Sequence, residues 1–277
     1  MKVLIAGAAG QLGRALQASV PPGVTLFAPA EADFDITSAA AVERACAGMD
    51  LVINAAAYTA VDRAEADSAT AQHINADAVA LLAAHAAKLV HISTDFVFDG
   101  TAHSPIPPDA TPNPVSVYGA TKRAGEIAAG PDALVIRTAW VYAAVGNNFV
   151  HTMLRLMRER PEVKVVADQL GTPTHAAGLA RAVWALNAQK GIFHWTDAGT
   201  ASWYDFAVAI QEEALALGLL RTAVPVLPIR TADYPTPAKR PAYGVLDKTD
   251  TWALTGPAAH WRTELRVCLA SIKEAQS

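Results

Sequence analysis

A chain of 277 residues that is 52% apolar is long enough to bury a large core, as one compact body or as a domain with a substantial second lobe. Its formal charge of -4 and the lack of any long basic run exclude a nucleic-acid surface, which needs clustered Lys and Arg to displace counterions. Cys46 and Cys268 stand far apart with no zinc-type spacing, the N-terminal apolar stretch is too short for a signal-peptide core, and no apolar run reaches membrane-spanning length. The expectation is a soluble, cytoplasmic protein with no metal site and neither nucleic acid nor membrane as a partner.

Lys2–Ala6 reads as a buried strand, followed by a glycine turn and a helix opening at Gly13–Gln17. Val24–Phe27 is a second strand, Ser38–Cys46 a helix, and Asp50–Asn54 a third strand without polar alternation, hence buried on both faces. A helix over Gln72–Ala87, a strand at Leu89–Ser93, a helix over Tyr118–Ala129 and a strand at Ala133–Arg137 continue the alternation. Strands separated by helices pair in parallel through right-handed crossovers, which predicts a Rossmann-like, doubly wound α/β sheet.

Beyond Tyr142 the rhythm breaks. Helices are predicted over Phe149–Arg160, His175–Gln189 and Trp203–Leu217, a strand at Gly191–Trp195, and a Pro-rich stretch from Pro225 to Pro241. The expected division is a dinucleotide-binding domain of residues 1–145 with 176–197, and a smaller substrate lobe of 146–175 with 198–277. The stripe Met153, Leu154, Leu156 and Met157 is helix core.

Gly7, Gly10 and Gly13 form a GxxGxxG turn between the first strand and the first helix. Missing Cβ atoms let the backbone approach a pyrophosphate, and the helix N-terminus offers unpaired N–H groups and the positive end of a dipole. At the end of the second strand an acid would hold a ribose diol and a basic residue a 2′-phosphate. Phe27–Ala30 carries neither, Glu31 lies late, and Asp35 with Ile36 is better placed to meet the adenine; Asp35 also suits an N-cap. The sequence inclines to NADPH, with NADH left open.

Tyr118 and Lys122 form a YxxxK pair on one helix face. An ammonium beside a phenol favours the phenolate and lowers its pKa, which would make Tyr118 a usable general acid for a carbonyl oxygen receiving hydride. The segment ending in Ser93, Thr94 and Asp95 delivers hydroxyls to the carboxyl end of a parallel strand, where sites of this fold class lie. The histidines, His91 and His151 among them, form no metal or triad spacing and are read as structural or surface residues.

The runs Gly7-Ala8-Ala9-Gly10-Gln11-Leu12-Gly13, Asn54-Ala55-Ala56-Ala57-Tyr58-Thr59-Ala60-Val61-Asp62, Ser93-Thr94-Asp95-Phe96-Val97-Phe98-Asp99-Gly100 and Tyr118-Gly119-Ala120-Thr121-Lys122 resemble the ordered motifs of the dTDP-4-dehydrorhamnose reductase family of extended short-chain dehydrogenases. The resemblance continues through Arg137–Tyr142, Asn147–Val150, Asp168–Thr174 and Arg240-Pro241, and so spans nearly the whole chain. It implies that Tyr118 donates the proton, that Lys122 tunes it and holds the nicotinamide ribose, and that Thr94 hydrogen-bonds the substrate carbonyl. Gly10, Gln11 and Leu12 would line the pyrophosphate, Asp35 and Ile36 the adenosine, and Ala55, Ala56 and Ala57 the dinucleotide path. Asp95 and Trp140 would border the sugar, and Arg240 would pair with the diphosphate; Trp140 also suits a core position. The implied partner is a nucleotide sugar, and a homodimer is compatible with the resemblance.

Two departures stand out. Phe96 replaces the family's usual tyrosine, and the stretch between Arg240-Pro241 and Leu246-Asp247 varies. The reading is reduction of the 4-keto group of a dTDP-linked deoxyhexose. The alternatives are an epimerase or dehydratase that retains its NAD⁺, and a dinucleotide-binding regulatory subunit, which would need the glycine turn but not Thr94, Tyr118 and Lys122.

Overall fold

The computed structural model describes residues 1–276. Strands β1 (Lys2–Ala6), β2 (Thr25–Phe27) and β3 (Leu51–Asn54) are separated by helices α1 (Gln11–Ala18) and α2 (Ala39–Cys46). Helices α3 (Val61–Ala64) and α4 (Ser68–Gln72), a π-helical turn at His73–Asp77 and α5 (Ala78–His85) lead into β4 (Leu89–Thr94), and α6 (Val117–Ala129) leads into β5 (Leu134–Thr138). Short strands β6 (Val141–Tyr142), β7 (Val163–Val166), β8 (Leu170–Gly171) and β9 (Thr174–His175), with helix α7 (Phe149–Glu159), precede α8 (Ala176–Leu186) and β10 (Gly191–His194). The chain closes with β11 (Ala201–Ser202), α9 (Trp203–Ala216), β12 (Val226–Ile229), α10 (Thr249–Thr255) and α11 (Trp261–Glu274).

The main sheet has six strands in the order β10-β5-β4-β3-β1-β2, all pairs parallel. The predicted Rossmann-like sheet is therefore present, including the strand at 191–194. From β1 the chain first adds β2 on one side and then β3 on the other, so the direction of growth reverses between β1 and β3. The carboxyl ends there open a crevice, the place where ligands bind in this fold class. Alternate residues of β1 go to opposite faces: Val3 and Ile5 pack with α1 and α8, Leu4 and Ala6 with α2 and α5.

A second core gathers Met153, Leu154 and Met157 of α7, Phe206 and Ile210 of α9 and Leu265, Cys268 and Leu269 of α11. The Met/Leu stripe is helix core, as its spacing predicts. Trp252 and Ala258, expected in the smaller lobe, pack instead against the core on the sheet. The predicted helix over 72–87 is interrupted by the π turn. There the Asn75 side chain accepts from Tyr58 N–H (2.8 Å) and donates to Thr121 Oγ1 (3.1 Å), while Gly125 of α6 has no Cβ to meet the Asn75 carbonyl, which would lie at 2.1 Å. Among the described residues no helix is long and apolar enough to cross a membrane.

Candidate active site

A cleft of about 1020 Å³ runs along the carboxyl edge of the sheet, from Pro29 and Asp35 past the glycine turn to Tyr118, Trp140 and Arg240. Its floor is the β1–α1 turn. Gly7 has φ +78°, a left-handed conformation that costs a side-chain-bearing residue, and a Cβ on it would lie 2.5 Å from the Ala56 nitrogen. A Cβ on Gly13 would lie 2.2 Å from the Gly7 carbonyl. Gly7, Gly10, Gln11, Leu12, Ala55, Ala56 and Ala57 all line the cleft, and the backbone N–H groups opening α1 lack intrahelical acceptors. Gly13 supports the turn from behind. This crowded, side-chain-free concavity at a helix N-terminus fits a dinucleotide pyrophosphate.

At the far end, Asp35 accepts from the Thr37 N–H (2.9 Å) and hydroxyl (2.7 Å), contacts that hold its carboxyl below the usual range. The N-cap of α2 is Ser38, not Asp35. Asp35 and buried Ile36 instead line the cleft mouth with Glu31 and Thr37. Among the described lining residues the basic side chains are Lys122 and Arg240, and both lie elsewhere in the cleft.

Thr94 ends β4, and Tyr118 and Lys122 lie on the first turns of α6, started by the Ser116 cap on Gly119 N–H (3.2 Å). A Cβ at Gly119 would stand 2.2 Å from the Phe96 carbonyl, so glycine lets α6 press its first turn against the end of β4. The Thr94 side chain accepts from Phe96 N–H (3.2 Å), donates to Asp95 Oδ1 (3.0 Å) and lies close enough to the Tyr118 phenol to oppose the rise in its pKa. The three predicted catalytic groups converge.

The electrostatics differ from the sequence expectation in one respect. Burial pushes the Tyr118 phenol up, to about 12, with Asp95 adding to the rise and Thr94 opposing it. The Lys122 Nζ donates to the Ile92 carbonyl (2.6 Å) and faces His91 Nε2 (3.5 Å), and burial lowers the amine to about 8. At neutral pH Tyr118 thus holds its proton firmly, as a donor must, and the transition state has to supply the drive for its release.

Behind α6, Glu126 accepts from the Ser93 hydroxyl (2.6 Å), from Arg137 Nε (2.7 Å) and Nη2 (2.9 Å), and from Arg123 (2.9 Å). Arg137 and Glu126 side chains are each 1% exposed, so this pair is a buried strut tying α6 to β5, and removing either partner strands a charge. Tyr118, Lys122 and Glu126 follow one another at i, i+4, i+8, so the strut fixes the helix face that carries the chemistry.

At the sugar end Asp95 is buried, and burial pushes its carboxyl to about 7. Its Oδ2 packs against Gly244, where a Cβ would stand at 2.4 Å, so the variable stretch before Leu246 serves to seat Asp95. Trp140 lines the cleft in a left-handed conformation (φ +49°), the one non-glycine residue with positive φ among those described. It is not simply core, and its ring is not free either. Trp203 stacks on it at 3.6 Å and 8°, and Gly171 abuts the indole so closely that a Cβ would lie 2.7 Å from Cε2. The expected platform is therefore a Trp140–Trp203 pair, both lining the cleft. Arg240 lines it too, with its guanidinium turned to Asp62 (2.7 and 3.0 Å) rather than left open for a diphosphate. Phe96 lines the cleft and meets the Tyr118 ring edge-on at 5.4 Å.

Sequence reasoning read His91 as structural and gave no place in the site to Trp203, Asn54 or the Glu126–Arg137 strut. A histidine and an arginine inside otherwise apolar strands were the available signals for His91 and Arg137. Nothing local marks Trp203, which reads as an ordinary helix start.

With this geometry in place, relatives are informative. The family model described as "RmlD substrate binding domain" matches residues 1–274. The dTDP-4-dehydrorhamnose reductase of Burkholderia thailandensis is 42% identical over 98% of this chain and 99% of its own. A crystal structure of the Clostridium acetobutylicum dTDP-4-dehydrorhamnose reductase superposes with a TM-score of 0.91 at 40% identity, covering 99% of this chain and 100% of that one. The Bacillus anthracis enzyme of the same name, solved in complex with NADP, does so with a TM-score of 0.88 at 34% identity, covering 98% and 99%. Carried by ordered motifs that the fold brings into one cleft and by identity along almost its entire length, the chain belongs to the dTDP-4-dehydrorhamnose reductase family.

Proposed function

We propose that this protein reduces the 4-keto group of dTDP-4-dehydro-L-rhamnose to the alcohol of dTDP-L-rhamnose, using NADPH, with NADH also accepted. The observation that carries the reading is the meeting of the Thr94 and Tyr118 hydroxyls in a cleft continuous with the glycine cradle. When bound, the reduced nicotinamide supplies the hydride that adds to the carbonyl carbon. Thr94 and Tyr118 donate hydrogen bonds to the carbonyl oxygen, and Tyr118 gives up its proton as that oxygen becomes an alkoxide, so the keto group gains a hydride and a proton in all. Lys122 lines the same cleft one helical turn on, where its ammonium form would stabilise the transient phenolate and hold a ribose hydroxyl. The stacked Trp140–Trp203 pair presents apolar surface to the sugar, and the Thr94 proton, held by Asp95 Oδ1 in the structure, turns to the carbonyl oxygen when substrate binds.

Asp35 and Glu31 at the adenine end suit a ribose diol, and no cation among the described lining residues there awaits a 2′-phosphate. The preference for NADPH over NADH is accordingly expected to stay within about tenfold, ~1.4 kcal/mol. We further read residues 1–145 with 176–197 as the dinucleotide-binding body and the remainder as the substrate lobe, apart from the segment with Trp252 and Ala258 that packs on the sheet core. The decisive experiment follows the disappearance of reduced cofactor on mixing with dTDP-4-dehydrorhamnose, with Tyr118→Phe as control. Turnover that survives the substitution, or silence with both cofactors, would overturn the assignment.

A further inference from the structure

His91 sits in the middle of β4, wholly buried, yet it touches the active-site lysine. Its neighbour on the other side is Asn54, at the end of β3 and likewise wholly buried. The Asn54 amide has a fixed orientation, because its Oδ1 accepts from the Ala56 backbone N–H (3.1 Å). Its Nδ2 is then the atom facing His91 Nδ1 (3.2 Å), and an amide nitrogen only donates. Nδ1 must accept, which leaves the imidazole proton on Nε2. That proton points at Lys122 Nζ, 3.5 Å away. An ammonium there would face a second donor, whereas a neutral amine could accept from it.

We propose that His91, locked by Asn54 in its Nε2–H tautomer, is a positioning residue for Lys122. By presenting an N–H to the amine it sets which protonation state the active site holds at working pH, and through Asn54 it ties that choice to the 54–57 segment along the cofactor path. The proposal rests on the reading of Lys122 as part of the reductase machinery. Burial supports it, since it holds His91 well below the ordinary histidine range and therefore uncharged at neutral pH. Gly125 keeps the space open, as a Cβ there would lie 3.3 Å from Nε2. The other groups that act on Lys122 are Glu126 of α6, engaged by Arg123 and Arg137, and the Ile92 carbonyl of β4; Tyr118 stands one helical turn earlier, and Asp95, just past β4, acts on that phenol. Of these, Glu126 pulls the lysine towards the charged form and so opposes His91.

The first test is a histidine-selective ¹H–¹⁵N correlation spectrum of the intact protein. The expected result is a neutral Nε2–H imidazole for His91, assigned by its loss in His91→Leu, that does not titrate across the neutral range; an Nδ1–H tautomer overturns the proposal. The second is the pH profile of kcat/KM. Asn54→Asp accepts from Nδ1–H and turns the Nε2 lone pair toward Lys122, and His91→Leu removes the facing N–H. Both are expected to move the alkaline limb upward, by about one pH unit, while NADPH still binds. An unmoved limb in a variant that folds and binds NADPH overturns it, since a merely structural histidine would change amplitude and leave the limb in place. Absence of turnover in the unsubstituted protein would instead count against the reductase reading, and the tautomer would still be read from the spectrum.

Discussion

The two ends of the cleft are built in different ways. The cofactor end is made of backbone: a glycine turn, a helix N-terminus and a run of alanines, each contributed by one contiguous motif on the parallel sheet. The sugar end is made of single side chains gathered from distant segments. Trp140 follows β5, Gly171 lies in β8, Trp203 opens α9, and Gly244 reaches Asp95 from near the C-terminus. A backbone cradle tolerates almost no added atom and reads a group common to all dinucleotides. A side-chain wall can be altered one residue at a time, and there specificity can change while chemistry persists.

Between the two ends stands the catalytic pair, and it gives the largest expected effect. Tyr118→Phe should lower kcat by roughly a hundredfold to ten-thousandfold with NADPH affinity retained, measured by turnover and by cofactor titration. Gly7→Ala tests the cradle itself. A left-handed alanine pressed against Ala56 should cost about 1–3 kcal/mol in stability and abolish tight NADPH binding, read by thermal unfolding with and without cofactor.

Asp95→Asn probes the sugar end through pH. The folded Asp95 carboxyl lies near 7 against an ordinary 3.8, so the native state holds this proton more tightly than the unfolded chain. Its contribution to stability is whole below about 3.8 and is lost as pH rises through 7. The asparagine variant should therefore show a flatter stability curve between those limits. A residual slope remains from Asp197, whose carboxyl burial also raises to about 7.

Trp203→Ala removes the stack. An aromatic pair worth about 0.5–1.5 kcal/mol predicts a rise of roughly twofold to tenfold in KM for the nucleotide sugar, with cofactor affinity unchanged. An equal loss of NADPH affinity would erase the division between the two ends. The smallest effect is expected of Phe96→Tyr, which places a hydroxyl beside Tyr118 and should change kcat/KM by no more than a few fold. A change much larger than that would make position 96 a determinant of the sugar.

The sequence by itself determined the sheet, the cradle and the catalytic pair, because each depends on interactions within a few residues: apolar runs buried on both faces, glycines at a strand-to-helix turn, and Tyr118 and Lys122 one helical turn apart. Even there it misjudged the charge. The spacing places an ammonium near a phenol, but the depth of burial decides that the Tyr118 phenol is raised on balance. The π turn in place of an unbroken helix, the Asp62 partner of Arg240 and the Trp203 lid on Trp140 were likewise settled by tertiary structure. Each pairs groups whose separation along the chain carries no periodic signal. Desolvation and long-range contact are properties of the packed interior, and no local pattern encodes them.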